Sequence, residues 1–192
     1  MKKLLAFTLI FFSTISIINA EEIKRIFVGN KDAKITIIVF ESLTCSHCAN
    51  FHKDVYPQLK KEYLDTGLAK IEFRHFPLDI AAFNASKVSQ CKNDGDSGIL
   101  NSLFANQQKW VKGNSVEEAN KNLQKFLTSE GFDLNFEKCI NNKEIEDFVL
   151  NDRIDGVKNF KVNATPTIVI NNKKFEKSLN YKNLKKALEK LI

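Results

Sequence analysis

Glycine-rich loops are missing from this chain. Its seven glycines are dispersed through 192 residues, and no cluster of them could cradle a phosphate. Basic residues outnumber acidic ones, 29 to 23, for a net charge of +6, yet no basic stripe is interleaved with aromatics. That argues against nucleic acid as a partner; the lysine pairs Lys173-Lys174 and Lys185-Lys186 read as solvated surface. Beyond the N-terminal segment, no apolar run approaches the roughly 20 residues that a membrane span needs. Cysteine is scarce, at four residues. Only Cys45 and Cys48 have CxxC spacing, and Ala49 rather than histidine follows them, which excludes a c-type haem attachment. A structural zinc site would need two more ligands, and Cys91 and Cys139 do not form a second CxxC. No cofactor and no metal is expected.

What is present is Cys45-Ser46-His47-Cys48, placed between the β-branched run Ile35-Thr36-Ile37-Ile38-Val39-Phe40 and a helical pattern that begins at once. Two cysteines at a helix start can close a small disulfide loop. The first thiol then faces the unpaired N–H groups of the first turn, which favour a thiolate. An ordinary thiol titrates near ~8.5, and in such sites the value falls to roughly 3.5–7.5. The expected result is a disulfide that is easily attacked and a thiolate that leaves easily.

The N-terminus points to export. Lys2 and Lys3 precede an apolar stretch from Leu4 to Ile18, and Asn19-Ala20 then meets the acidic Glu21-Glu22. This is the order of a signal peptide cleaved after Ala20, residues 1–20; the alternative is an uncleaved anchor. No cysteine lies near the cleavage point, so a lipid anchor is not expected. Cleavage removes two lysines and no acid, taking the charge from +6 to +4. Residues 21–192 are enough for one domain with a substantial core. In an oxidising compartment the four cysteines should pair. Cys45 with Cys48 is the active pair, which leaves Cys91 with Cys139. A structural bridge is the expected role for this second pair; the alternative is a second redox pair or a resolving thiol.

Residues 35–41 read as a central strand buried on both faces, because the apolar run is continuous. Residues 46–65 read as a helix with Phe51, Val55 and Leu59 inside and a kink at Pro57. Ala69 to Phe76 alternates as a strand ended by Pro77, and Ile26 to Val28 permits a short lead-in strand. Residues 80–158 show only helical spacing, with Gly113-Asn114 and Gly131 as breaks. Strand signals return at Thr167-Ile168-Val169-Ile170, turn at Asn171-Asn172 into Lys173 to Phe175, and give way to a helix carrying Leu184, Ala187, Leu188 and Leu191. The order β-α-β, helical block, β-β-α is that of an α/β, thioredoxin-like fold with a helical insertion. The expected division is 21–79, the insertion 80–158, and 159–192.

Four segments carry a resemblance: Leu43-Thr44-Cys45-Ser46-His47-Cys48, Arg74-His75-Phe76-Pro77-Leu78-Asp79, Leu103-Phe104-Ala105-Asn106-Gln107 and Ala164-Thr165-Pro166-Thr167. In that order they resemble the DsbA-like thiol:disulfide oxidoreductases of bacterial cell envelopes. The resemblance implies a periplasmic location and disulfide transfer to reduced client proteins. It places the family's cis-proline on Pro166, preceded by Thr165, where a client peptide would dock as an added strand. Cys91 and Cys139 also resemble a structural pair found in one branch of the family. Two positions depart from it. Many members carry a buried acid six residues before the first cysteine, where this chain has Val39. Glu41, on the same side of the strand, is the candidate substitute as proton relay; the reading preferred here is an exposed acid at a strand end. Ser46 stands where proline is common.

The roles follow. Cys45 is the expected nucleophile and Cys48 the resolving cysteine. His47 is expected to stabilise the Cys45 thiolate by a hydrogen bond or charge. His52 and His75 read as surface or packing residues, and Trp110 as core. Only about 14 residues separate Ala20 from the strong strand, which leaves no room for the N-terminal oligomerisation segment of the isomerases. A monomeric oxidase, recycled by a membrane quinone-linked partner of the DsbB type, is therefore expected. The alternatives are an isomerase or reductase of the same fold, and a secreted non-catalytic domain with two structural disulfides.

Overall fold

The computed structural model describes residues 22–192; the expected signal segment, residues 1–20, lies outside them. Five strands form one sheet: β1 (Phe27–Gly29), β2 (Ile35–Glu41), β3 (Ala69–His75), β4 (Thr167–Ile170) and β5 (Lys173–Lys174), in the order β1-β3-β2-β4-β5. β2 and β3 run parallel, and the other three pairings are antiparallel. This is the mixed sheet of a thioredoxin-like fold. The parallel pair is joined by a helical crossover, α1, over residues 46–64. The remaining helices are α2 (Ile80–Gln90), α3 (Gly98–Ala105), α4 (Gln107–Trp110), α5 (Val116–Ser129), α6 (Phe136–Ile140), α7 (Lys143–Phe160) and α8 (Tyr181–Leu188).

β2 is central and covered on both faces, as its continuous apolar run requires. Ile35, Ile37 and Val39 enter the larger core beneath α1, together with Phe51, Leu59, Ile71, Phe73, Leu100 and Leu103. Ile38 and Phe40 face a second cluster with Phe76, Val162 and Val169, against which Phe160 packs. α7 closes this second face, and Gly156 lets it approach. A Cβ on Gly156 would stand 2.9 Å from the Phe40 ring.

Pro57 does not break α1. The expected kink takes the form of π-helical turns, Phe51–Val55 just before the proline's turn and Lys60–Leu64 after it. Proline has no N–H to donate, and widened turns absorb the missing bond. In α8, Leu184 and Leu188 are buried, but the helix ends at Leu188 and Leu191 is exposed. His75, expected at the surface or in packing, is buried at the end of β3 and bonded to Gln90. Burial lowers its pKa to about 3, so it packs as the neutral ring. Trp110 is core, with its Nε1–H donating to Leu103.

Cys91, at the end of α2, is bonded to Cys139 in α6. The buried Lys87 donates to the carbonyl of Ile140 beside it. The bridge spans a sequence separation of 48. Closing such a loop restricts the unfolded chain and contributes on the order of 4 kcal/mol in the chain-entropy model. Replacing both cysteines with alanine should lower the melting temperature by several degrees, while disulfide transfer by the folded variant stays within a few-fold of the parent. Mass spectrometry of non-reduced peptides taken during turnover checks the pairing. Cys91 linked to Cys45 or Cys48 would make it a relay thiol instead.

Candidate active site

The site forms where β2 ends and α1 begins. Cys45 is the N-cap of α1, with extended backbone (φ −79°, ψ 119°), and its carbonyl accepts from the N–H groups of Cys48 and Ala49. Its side chain is therefore left outside the first turn, half-buried, while Cys48 one turn on is fully buried. Both are free thiols in the structure. Their environments drive them apart. The Cys48 thiol donates to Cys45 and is the main reason the Cys45 pKa falls to about 5. Partial burial opposes this; the Thr165 side chain and the backbone N–H groups of Cys48 and His47 support it. Burial pushes the Cys48 thiol up, reinforced by its bond to Cys45 and by the charge of Glu41.

Across the site, the Thr165–Pro166 peptide is cis. The Thr165 carbonyl accepts from Cys45 Sγ at 3.3 Å. His47, Phe51, Thr165, Pro166 and Tyr181 line a groove of about 550 Å³ beside the cysteine. His47 is exposed. Its backbone N–H helps to lower the Cys45 pKa.

Glu41 corrects an expectation. It is not an exposed acid at a strand end but is only 2% exposed. The register explains why. Ile35, Ile37 and Val39 are at most 2% exposed, and burying each such side chain is worth roughly 1.5–3 kcal/mol. A one-residue slip would turn all three outward, so they win, and Glu41 follows them under α1. There its Oε2 lies 2.8 Å from Nε2 of His52, while Oε1 has no partner among the described residues. Burial raises the Glu41 pKa; His52 acts against this. His52 is correspondingly buried, stacked on Phe104 with ring centroids 4.1 Å apart.

Two residues without an assigned role hold the cysteine loop. Gln107 in α4 donates from Nε2 to the carbonyls of Leu43 (2.8 Å) and Cys45 (3.0 Å). Asp79 caps α2 by accepting from the Ala82 N–H and also accepts from the Thr44 hydroxyl. The loop is thus clamped from the helical block on one side and from the β3–α2 junction on the other. The signals were present as the motifs around Gln107 and Asp79, but their contacts are long-range. Among the described residues, no group of three or more His, Cys, Asp or Glu side chains is arranged to hold a metal ion.

A thioredoxin-like sheet with a CxxC pair at the β2–α1 junction and a cis-proline loop facing it defines a dithiol–disulfide protein of the DsbA-like class. The chain belongs to the thioredoxin family: a family model described as Thioredoxin matches residues 21–190. Among solved structures it is similar to alpha-DsbA1 of Wolbachia pipientis, with a TM-score of 0.77 and 29% identity over 87% of this chain and 90% of that one. It is also similar to oxidised BdbD of Bacillus subtilis, with a TM-score of 0.68 and 26% identity over 86% and 91% of the two chains. Among curated proteins, a protein-disulfide oxidoreductase of Rickettsia bellii is 28% identical over 86% of this chain and 63% of its own length. Disulfide bond formation protein D of Bacillus subtilis is 27% identical over 85% and 75%. The chain spans about three fifths of the length of the Rickettsia relatives it matches.

Proposed function

We propose that this protein is an exported thiol:disulfide oxidoreductase that donates the Cys45–Cys48 disulfide to reduced client proteins. One observation carries the reading: two adjacent thiols with opposed environments, Cys45 accessible and acidified to about 5, Cys48 buried and raised. An incoming client thiolate attacks the accessible sulfur, Cys45, and forms a mixed disulfide. Cys48 leaves, and in the return direction expels the partner by attacking Cys45. A stretch of client docks along Thr165 and Pro166, beside the groove that His47 borders. Its relatives' names, protein-disulfide oxidoreductase and disulfide bond formation protein D, support disulfide exchange as the chemistry.

The finer reading is an oxidase of the periplasm, delivered by cleavage after Ala20, monomeric, and recycled by a quinone-linked membrane partner of the DsbB type. Stabilising the Cys45 thiolate stabilises the reduced form over the disulfide and makes the pair oxidising. Equilibration with glutathione should then place its potential nearer the roughly −120 mV of DsbA than the roughly −270 mV of thioredoxin. A value at the thioredoxin end would make the protein a reductase.

A further inference from the structure

Cys48 must give up and take back a proton, yet it has no surface through which to do so: its exposure is 0%. Glu41 is the carboxylate whose charge it feels, and Glu41 is equally enclosed. Among the described residues, the polar group that Glu41 meets is His52, 2.8 Å away. His52 is held as a flat plate against Phe104 and Phe73, at centroid distances of 4.1 and 5.4 Å. Its far nitrogen, Nδ1, is buried and has no hydrogen-bond partner among the described residues. A buried polar atom left unpaired costs about 1–3 kcal/mol. The ring, however, borders a cleft of about 700 Å³ between α1 and the α3–α4 segment. Tyr56 and Asn101 line the same cleft, and each brings a buried polar atom with no partner among the described residues. Three such buried atoms, on residues that line one cleft, are groups that ordered water entering from the cleft would satisfy.

We propose that His52 is the relay residue through which Cys48 exchanges its proton with solvent, acting through Glu41, with the cleft between α1 and α3 as the outlet. The inference rests on the disulfide-exchange reading above. When a client thiolate attacks Cys45 Sγ, the Cys45–Cys48 bond breaks and a client–Cys45 bond forms. The electron pair leaves with Cys48 Sγ, which takes up a proton from the Glu41 carboxyl group through an intervening water, since the two side chains make no direct hydrogen bond. Water in the cleft then protonates His52 at Nδ1 while its Nε2–H passes to Glu41. Re-oxidation runs the same path backwards. Cys45 and Cys48 at the start of α1, which interact electrostatically with Glu41, and Lys53 and Tyr56 beside the cleft are the titratable groups that α1 brings to the pair. Asn101 and Phe104 of α3, Gln108 just beyond, and Phe73 of β3 bring no charge.

The test uses the full chain with Cys91–Cys139 intact. The rate at which oxidised protein reacts with a reduced dithiol peptide is followed from pH 5 to 8. His52→Ala opens a space of imidazole size onto the cleft. It should slow the reaction by about 100-fold, the lower end for a lost proton-transfer group, and flatten its pH profile. Millimolar imidazole should restore most of the rate. In the Glu41→Gln/His52→Ala double variant, imidazole should restore nothing. His52→Phe keeps the ring stack if the alanine variant does not fold, and should be slow and insensitive to imidazole. Wild-type rates and pH profile in these variants, or a slow folded His52→Ala that imidazole leaves unchanged, overturn the proposal. A parent protein that does not react with the dithiol at all instead overturns the disulfide-exchange reading.

Discussion

Cys45→Ser should leave a folded protein with no measurable disulfide transfer to a reduced client. No other sulfur can replace it. Cys48 is fully buried, and Cys91 and Cys139 are joined to each other. The same sulfur should dominate the chemistry of the reduced parent. An ordinary thiol with a pKa of about 8.5 is only about 3% thiolate at pH 7. At about 5, Cys45 is almost wholly ionised there. Iodoacetamide labelling of the reduced protein should therefore rise along a single titration with its midpoint near pH 5 and lose rate below it. Peptide mapping should find the label on Cys45 and none on Cys48. Substantial activity in the serine variant, or Cys48 labelled first, would place the nucleophile elsewhere.

The reduced protein should also melt above the oxidised one, by a margin that grows with pH. In the unfolded chain the Cys45 thiol ionises near ~8.5; in the folded reduced protein it ionises at about 5. Below pH 5 both states keep the proton, and nothing is gained. Between these values only the folded state has released it, so stability of the reduced form climbs with pH; above ~8.5 the Cys45 gain is complete, and the buried Cys48 thiol, which keeps its proton only in the folded state, begins to offset it. The oxidised form has no such proton. Opposing the gain is the four-residue loop of the disulfide, which restricts the unfolded oxidised chain less than a long loop would. Solvent around the half-buried Cys45 screens part of the gain. About 1 kcal/mol moves the midpoint of a domain this size by roughly 2–4 °C, so the two melting curves should separate by several degrees between pH 5 and 8. Differential scanning of both forms across that range decides the point. An oxidised form that melts higher throughout would favour a reductase.

Much of this architecture is legible before any coordinates. The unbroken run from Ile35 to Phe40 can only be a strand covered on both sides, and the helical spacing after Ile80 leaves no strand until Thr167. What the pattern conceals are contacts made at a distance. Gln107 reaches the carbonyl of a cysteine 62 residues earlier, and no local periodicity announces that. Glu41 is harder in a different way. Its parity with Ile37 and Val39 is visible, but whether the last residue of a strand is still under cover depends on where the following helix lies. His52 offered a clue, since one helical turn separates it from Cys48 and carries it onto the same inward face. The contribution of the His47 peptide N–H to the Cys45 thiolate is a property of the first turn, available to any residue other than proline at that position.

The two outer strands have a consequence for the client handling proposed above. A long open sheet margin is a template on which stray polypeptides can stack. Here one margin is β5, two residues long, and both are lysines. The other, β1, has three residues, and its outer side is partly closed where the Phe27 N–H donates to the Gly95 carbonyl. Little unpaired backbone remains at either margin, and β5 adds two positive charges. The molecule can therefore sit among sticky, half-made proteins without seeding their aggregation onto itself.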